Sequence, residues 1–242
     1  MEERTLDELD KGSVVLYDAT NINRKNRSNI LSKIPPYASK WCIITWAPVE
    51  ECIRRDSLRS RSVGKFVIDK MVRQFEAPYY DEGFEVINVM YPEGFDSNSF
   101  FETVIENTKV EHDNPHHSLN IYEHMEASEK NMRMISSKEE LCLAARYHDI
   151  GKPYVKSFKN KKEEETATAH YYNHENVGAY LSYGLLLNFY IENDSDKNRT
   201  LYIPWLIGSH MGLFSNNKYY KNLPTYLKND IDMLYRADLE AH

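Results

Sequence analysis

Cysteine is scarce in this chain. Among its 242 residues there are three cysteines, Cys42, Cys52 and Cys142, and no two of them stand in a Cys-x-x-Cys pair. An odd number without paired spacing argues against a disulfide framework and against a zinc ribbon. Because free cysteines of this kind are typical of a reducing compartment, we expect a cytoplasmic protein.

Long apolar runs and an excess of positive charge are also missing. No stretch approaches the ~18 consecutive apolar residues that indicate a membrane-spanning helix. The acidic start, Met1 to Asp7, does not resemble a signal peptide. The formal net charge is -7, which argues against a protein that coats duplex DNA but allows a local positive cleft. We therefore expect no association with a membrane.

Histidine and aspartate supply the most informative pattern that is present. The doublet His148-Asp149 ends an apolar stretch in the run LAARYHDIGKP, residues 143–153. Imidazole and carboxylate together suit first-row divalent ions, and helical bundles build metal sites from ligands on several helices. Four further residues of these types lie in segments that we predict to be helices or helix ends: His124, His174, His210 and Asp238. This order predicts a metal site.

The same order, His…His-Asp…His…His…Asp, resembles the HD-domain family of metal-dependent phosphohydrolases. The resemblance covers roughly residues 112 to 242 and is strongest for HD domains attached to transfer-RNA and polynucleotide nucleotidyltransferases, through the runs 114–124, 170–179 and 236–240. It implies one or two divalent transition-metal ions, chosen among Mn, Fe, Zn, Co and Ni. It implies that His174 and His210 hold a second ion, that Asp149 is shared, and that the ligands of the first ion are His124, His148, Asp149 and Asp238.

Asp149 and Lys152 are the catalytic residues that this resemblance implies. Two ions about 3.5–4 Å apart activate water and neutralise the phosphoryl oxygens, so the expected reaction is phosphoester hydrolysis. Lys152 can approach a phosphate oxygen as a point charge. The alternative is a solvated lysine at the C-terminus of a helix, where the helix dipole favours a cation.

Apolar segments with the pattern of buried strands mark the N-terminal half. They are Val14 to Asp18, Trp41 to Trp46 and Glu85 to Met90. A polar helix with arginines follows the first, and a helix from Pro48 to Arg54 follows the second. Strands separated by helices indicate βαβ units and a parallel sheet.

This half resembles the later part of phage-type polynucleotide kinases and related P-loop kinases. The matching segments are Asp18-Ala-Thr-Asn21 with Arg24 and Arg27, the lid-like run Arg54 to Arg61, and the strand entry Tyr79 to Ile87. However, the chain contains no Gly-x-x-x-x-Gly-Lys-Ser/Thr loop to bind the β- and γ-phosphates. We therefore expect no kinase activity from this chain alone, and a partner polypeptide or a longer chain would supply the missing P-loop half.

Two domains are predicted. Residues 1–108 form a partial P-loop-kinase-like α/β domain with a parallel sheet, and residues 109–242 form an all-α HD-domain helical bundle. Two polar segments, Lys156 to Glu165 and Glu192 to Arg199, are predicted to be solvated loops between helices. The apolar run Leu181 to Tyr190 is predicted to be a buried helix of the bundle.

Six residues outside the metal site are predicted to bind substrate: Arg54, Arg55, Arg59, Arg61, His117 and His170. For the arginines the alternative is a solvated basic helix, and for the histidines, like His116, a capping or surface position. Kinase and phosphohydrolase modules occur together in end-healing enzymes, so the resemblance implies an RNA or DNA end as substrate, with 3′-phosphatase or 2′,3′-cyclic phosphodiesterase activity. A hydrolase of free or cyclic nucleotides, and a noncatalytic nucleic-acid-binding remnant of a kinase, remain as alternatives.

Overall fold

The N-terminal half is a helical layer around one pair of strands. A computed structural model describes residues 2–114, 118–188, 197–212 and 218–241. Strands β1 (Trp41–Thr45) and β2 (Val86–Met90) pair in parallel, with Trp41 opposite Val86 and Thr45 opposite Met90. The helices of this half are α1 (Glu2–Asp10), α2 (Arg24–Leu31), α3 (Val49–Ser57), α4 (Lys65–Arg73) and α5 (Ser97–Asn107). The parallel pairing of the second and third predicted strands is thus confirmed.

The first predicted strand, Val14 to Asp18, was wrong. This segment has no regular secondary structure, and the side chains of Val14 and Leu16 are 102% and 82% exposed. A buried strand needs a neighbouring backbone to satisfy its amide and carbonyl groups. In the described part of the chain, β1 and β2 pair only with each other. The parallel sheet therefore has two strands here, and the kinase-like fold stays a prediction.

The C-terminal half is a bundle of helices, as predicted. Its helices are α6 (Ile121–Ile135), α7 (Glu139–Tyr147), the single turn α8 (Lys152–Val155), α9 (His174–Leu185), α10 (Lys197–Ser209), α11 (Lys218–Asn222) and α12 (Thr225–Leu239). Helices α7 and α9 pack against α10, and α6 packs against α7 and α12. Among the helices described, none combines the length and the apolar character that crossing a membrane requires.

The bundle is not purely helical, which corrects two predictions. Residues 156–165 are largely exposed, as predicted, but they are not an irregular loop, because they include the first strand and the turn of an antiparallel hairpin of β3 (Ser157–Lys159) and β4 (Glu165–His170). The other edge of β4 is also held, since Ala169 N donates to Asp113 O at 2.8 Å. Of the second predicted loop, residues 192–196 lie outside the described residues, and α10 already begins at Lys197.

Helix α9 joins the two halves. Its buried residues include Leu181, as predicted for this apolar run, of which residues 189–190 lie outside the described part. On the face that packs against the N-terminal half, α9 contacts Trp46, whose Nε1 donates to Tyr180 O at 2.8 Å. A Cβ at Gly184 would lie 2.1 Å from Trp46 Cη2, so only glycine allows this approach. One hydrophobic cluster extends from β1 to α12, and the division at residue 108 stays a prediction.

Candidate metal centre

Each predicted metal ligand lies at or near the end of a helix. His124 is the fourth residue of α6. The start of this helix is fixed by a capping box between Asn120 and Glu123. The doublet His148-Asp149 forms the turn that ends α7. The other three ligands are the first residue of α9, the residue after α10 and a residue in the last turn of α12: His174, His210 and Asp238. The bundle brings all six together.

In the first group of ligand atoms, the Nε2 atoms of two histidines lie near one oxygen of each of two carboxylates. His124 Nε2 lies 2.8 Å from Asp238 Oδ1 and 3.5 Å from Asp149 Oδ2. His148 Nε2 lies 3.2 Å from each of these oxygens. The ligand atoms of these four residues lie within 4.8 Å of one another. This is the spacing of donors around a single cation.

The second group shares Asp149 with the first. His174 Nε2 lies 3.3 Å from Asp149 Oδ1 and 3.1 Å from His210 Nε2. The two oxygens of Asp149 therefore face different groups, Oδ2 toward His124 and His148 and Oδ1 toward His174. A carboxylate in this position has one oxygen available for each of two ions.

The other ring nitrogen of every histidine in the cluster meets a backbone carbonyl. Donation of Nδ1–H to these carbonyls directs each Nε2 into the cluster, where the neutral ring offers its lone pair to an ion, which is the arrangement of ligating histidines. The Nδ1 atoms of His124, His148, His174 and His210 lie 2.8, 2.8, 2.8 and 2.7 Å from the carbonyl oxygens of Ala241, Ala145, Tyr171 and Ile207.

Charge in the cluster is strongly coupled. Burial opposes protonation of His148, but the carboxylates of Asp149 and Asp238 outweigh it and raise the pKa of His148 to about 10. Burial also opposes ionisation of Asp149, yet His148 and Lys152 hold the pKa of Asp149 well below its usual value. For His210, burial and the neighbouring His174 and His148 lower the pKa to about 3. The carboxylates thus stay ionised and attract a positive charge to the centre.

The donor set fits a divalent cation. Two lone pairs, on His174 Nε2 and His210 Nε2, face each other at 3.1 Å. His148 Nε2 is buried and has no hydrogen-bond partner among the described residues. Asp149 Oδ2 and Asp238 Oδ1 each lie 3.2 Å away, but neither contact has the angles of a hydrogen bond. A buried polar atom without a partner is costly unless an ion satisfies it. Mixed imidazole and carboxylate donors suit Mn, Fe, Co, Ni or Zn.

Lys152 lies at the edge of the cluster. Its side chain is 9% exposed and Nζ is 2.6 Å from Asp149 Oδ2, so it is not the solvated lysine of the alternative interpretation. The ring of Tyr171 lies beneath the ammonium, 5.5 Å from Nζ to the centroid. The Tyr171 hydroxyl donates to the backbone carbonyl of His112. Lys152 is therefore a buried cation between a ligand carboxylate and an aromatic ring.

One residue at the site was missed by sequence reasoning. His112 is buried, and its ring lies 5.4 Å from the ring of the ligand His124, edge to face. It lies outside the six-residue order, and the sequence around it carries no pattern that indicates burial. Its position depends on the hairpin, because Ala169 and Tyr171 hold the backbone of residues 112–113.

Gly151 allows the turn between α7 and α8 to lie close to α9. This turn, residues 148–151, carries His148 and Asp149, and we call it the HD turn. A Cβ at this position would lie 2.1 Å from His174 O and 2.6 Å from Gly178 N, which are backbone atoms that cannot move aside. The backbone at Gly151 has φ -77° and ψ -21°, so glycine is needed here for space rather than for its conformation. The absence of a side chain allows Asp149 and His174 to share one site.

The predicted substrate residues that the structure describes are not members of the two ligand groups. Arg54 and Arg55 both pair with Glu51 on α3, with N–O distances of 2.6 Å, and are more than half exposed. Arg59 and Arg61 are exposed in the following loop, which folds over the Asp56 carboxylate. The ring of His170 stacks on that of Tyr172 at 5.4 Å. His116 and His117 lie outside the described residues.

A comparison with protein families points to the same kind of site. Residues 116–229 match the model of the HD domain. The chain contains an HD domain. HD domains bind divalent metal ions, and this one, with its buried His/Asp cluster, is a metal-dependent phosphohydrolase. No similar sequence was found among curated proteins, and no similar structure among solved ones. The kinase-like N-terminal half is therefore an interpretation of the sequence alone.

Proposed function

We propose that this HD domain hydrolyses a terminal phosphoester of a nucleic acid, as a 3′-phosphatase or a 2′,3′-cyclic phosphodiesterase. The observation that carries the hydrolytic part is Asp149, whose two oxygens face separate groups of ligands while Lys152 lies 2.6 Å from one of them. The nucleic-acid part is supported by the sequence of residues 1–108 and by the way that half packs on the HD helices.

The chain's own residues have separate roles in this proposal. His124, His148 and Asp238 would hold one ion with Asp149, and His174 and His210 would hold another with the same carboxylate. When bound, the ions would supply an activated water and neutralise the phosphoryl oxygens. The backbone carbonyls behind the histidines keep each ring in one orientation, and burial of the ligands keeps bulk water from competing for the donors.

Lys152 is the residue that we assign to the substrate phosphate. Its ammonium already lies in a buried position, where an interaction with an anion is stronger than in water. Tyr171 supports it from below, and the hydroxyl of Tyr171 is fixed by the carbonyl of His112. An incoming phosphate oxygen would share the ammonium with Asp149. Lys152 thus binds and orients the group that is hydrolysed.

We assign the rest of the substrate to the α/β half. It packs on α9, the helix that begins with His174, through Trp46 and through Asn176, whose Nδ2 donates to Arg73 O at 2.9 Å. Arg54 and Arg55 lie on α3, which packs on α4, which in turn packs on α9. Exposed ion pairs such as those with Glu51 are weak, so phosphates can replace the carboxylate. We assign backbone phosphates to these arginines with Arg59 and Arg61.

His117 and His170 are assigned to the terminal nucleotide. His170 ends β4, four residues before the ligand His174, and so belongs to the segment that leads into the site. A partner polypeptide that carries the P-loop half would complete the α/β part. The exposed outer face of the strand pair, with Trp41, Ile43 and Met90, is consistent with such a partner because parallel sheets are normally covered on both faces.

The test is phosphate release by the full chain after loading with Mn, Fe, Co, Ni or Zn. Substrates are a 3′-phosphorylated oligonucleotide, a 2′,3′-cyclic phosphate end and the matching mononucleotides. We expect a higher kcat/KM on the oligonucleotide, and no release by Asp149→Ala. Equal kcat/KM on mononucleotides would favour the nucleotide hydrolase instead. Binding of oligonucleotide without hydrolysis under any metal would favour the noncatalytic remnant.

The arginine assignment has its own control. A variant with Arg54, Arg55, Arg59 and Arg61 changed to serine should raise KM for the oligonucleotide but not for the mononucleotide. Its salt dependence should also weaken, by about 0.7 in the log–log slope for each phosphate of a single strand that the arginines no longer neutralise. The matched control changes four exposed cations elsewhere to serine: Arg4, Lys11, Lys25 and Lys130. Equal behaviour of the two variants would refute the assignment.

A further inference from the structure

Arg24, in the N-terminal half, is buried against an aromatic residue of the HD half. Its guanidinium carbon lies 3.5 Å from the ring centroid of Tyr219 on α11. Glu76 holds the arginine from the other side, because the backbone N of Arg24 donates to Glu76 Oε2 at 2.6 Å and Nη1 lies 3.5 Å from Oε1. The side chain is 12% exposed. Arg24 is therefore fixed in place, and too little of its guanidinium is exposed for it to bind the phosphate of a substrate.

The tyrosine beneath Arg24 and its neighbour both contact the end of α10. Trp205 Nε1, on α10, donates to the hydroxyl of Tyr219 at 3.0 Å. The hydroxyl of Tyr220 lies within hydrogen-bonding reach of Ser209 and of Arg24 itself. The ring of Tyr220 also covers Gly212, where a Cβ would be 2.3 Å from Tyr220 Cε1. Tyr219 and Tyr220 together form what we call the tyrosine clamp.

The clamp closes around a metal ligand. His210 lies between Ser209 and Gly212, the two residues that Tyr220 contacts. Beyond Ser209 the helix has ended, so the position of the His210 ring depends on its Nδ1 contact with Ile207 O and on what holds the residues around it. The ligands of the other group are carried by α6, α7 and α12, which the clamp residues are not part of.

We propose that Arg24 is a positioning residue for His210, acting through the tyrosine clamp. The proposal rests on the two-ion site of the proposed function. Arg24 presses the clamp onto the end of α10, and the clamp holds His210 Nε2 against His174 Nε2, 3.1 Å away. Without Arg24 the His174–His210 group should loosen, while the group of His124, His148 and Asp238 should remain. The N-terminal half would thereby complete the second metal position.

A matched control lies on the same helix. Arg27 is even more buried and binds the Glu82 carboxylate with two hydrogen bonds, of 2.8 and 2.7 Å. Its third contact is the carbonyl of Asn21 at 3.1 Å. These contacts stay within the N-terminal half, and Arg27→Met removes a buried arginine but leaves Arg24, Tyr219 and Tyr220 in place. The Glu82 carboxylate is shared, since its Oε1 also lies 3.8 Å from Arg24 Nε, so Arg27→Met also reports what that carboxylate contributes to the position of Arg24. A general decrease in fold stability should therefore affect both variants, whereas weaker binding of the second ion should affect only Arg24→Met.

The experiment compares the full-length chain with Arg24→Met, Arg24→Lys, Tyr220→Phe and Arg27→Met. Manganese binding is titrated, and hydrogen exchange of residues 205–212 is followed in the metal-free protein. For Arg24→Met we expect one ion to be kept, the second to bind about 10-fold or more weakly, and faster exchange near His210. Tyr220→Phe keeps the ring over Gly212 and tests the hydroxyl contacts if Arg24→Met does not fold. Arg24→Lys should be intermediate, since lysine restores the charge without the planar guanidinium.

Two results would overturn the inference. One is a second ion bound as in the wild type with unchanged exchange at residues 205–212 in both Arg24→Met and Tyr220→Phe. The other is an equal weakening of the second ion in Arg27→Met. If the wild type itself binds fewer than two ions, the two-ion site fails, and the exchange measurement on the metal-free protein then decides the role of Arg24 by itself.

Discussion

Replacement of Gly151 by alanine is expected to separate the two halves of the metal site. Gly151 lies between Asp149 and Lys152, and its Cα faces the first turn of α9. An added Cβ would be 2.1 Å from His174 O and 2.6 Å from Gly178 N. Since the backbone at Gly151 is already in the right-handed helical region, alanine adds no conformational strain of its own. The effect measured is therefore steric.

The size of the effect follows from these distances. To reach an ordinary contact of 3.4 Å from 2.1 Å, the HD turn and α9 must separate by about 1.3 Å, because backbone atoms cannot rotate away. Metal–ligand distances tolerate about 0.2 Å, so Asp149 and His174 can no longer serve one shared position. Overpacking of this kind costs about 1–3 kcal/mol, which for a chain of this size lowers Tm by about 2–12 °C.

Three measurements on the purified variant test this prediction. Elemental analysis gives the ions per chain, thermal unfolding gives the decrease in stability, and phosphate release gives activity. Gly178→Ala is the control, because its Cβ would first meet the Ile207 side chain at 3.1 Å, and a side chain can adjust. We expect Gly151→Ala to lose an ion and activity and Gly178→Ala to keep most of both. Wild-type metal content in Gly151→Ala would refute the reasoning.

Three other substitutions follow from the structure. Lys152→Met should lower kcat/KM by about 10²–10³ at unchanged metal content, with partial recovery in Lys152→Arg; a fall in metal content would show that the lysine acts on the ligands instead. Trp46→Ala should lower the free energy of unfolding by about 3–5 kcal/mol, and wild type and variant should each unfold in a single urea transition by fluorescence and circular dichroism, because both halves share one core. Two separated transitions would contradict that. Tyr202→Phe should cost about 1.5–3 kcal/mol in denaturant unfolding, since the Tyr202 hydroxyl donates to the buried Asp230 carboxylate at 2.7 Å; an unchanged midpoint would rule this contact out as stabilising.

The six residues that the structure brings together could be predicted from the sequence because their types and order are local signals. His148 and Asp149 are adjacent in the chain, and the other four lie in segments with helical patterns. The structure adds what a sequence does not contain, namely the carbonyl behind each Nδ1 and the two directions of the Asp149 oxygens. His112 was missed for the same reason: its burial arises from contacts with a hairpin more than fifty residues away.

The fold was predicted less evenly. β1 and β2 were predicted correctly, because each has a partner strand in the chain. Val14 to Asp18 has an equally apolar sequence, but a strand is stabilised by its neighbours and not by composition alone. The hairpin has a signal in the sequence that the prediction did not use: Thr166, Thr168 and His170 alternate with alanines after a polar turn. Charged residues in the turn concealed that alternation.

The most direct test of the metal site is a crystal of the metal-loaded chain measured at the absorption edge of the bound ion. We predict two anomalous peaks on either side of Asp149, about 3.5–4 Å apart, one among His124, His148 and Asp238 and one between His174 and His210. Peaks at other residues, or none at Asp149 after loading, would contradict the account.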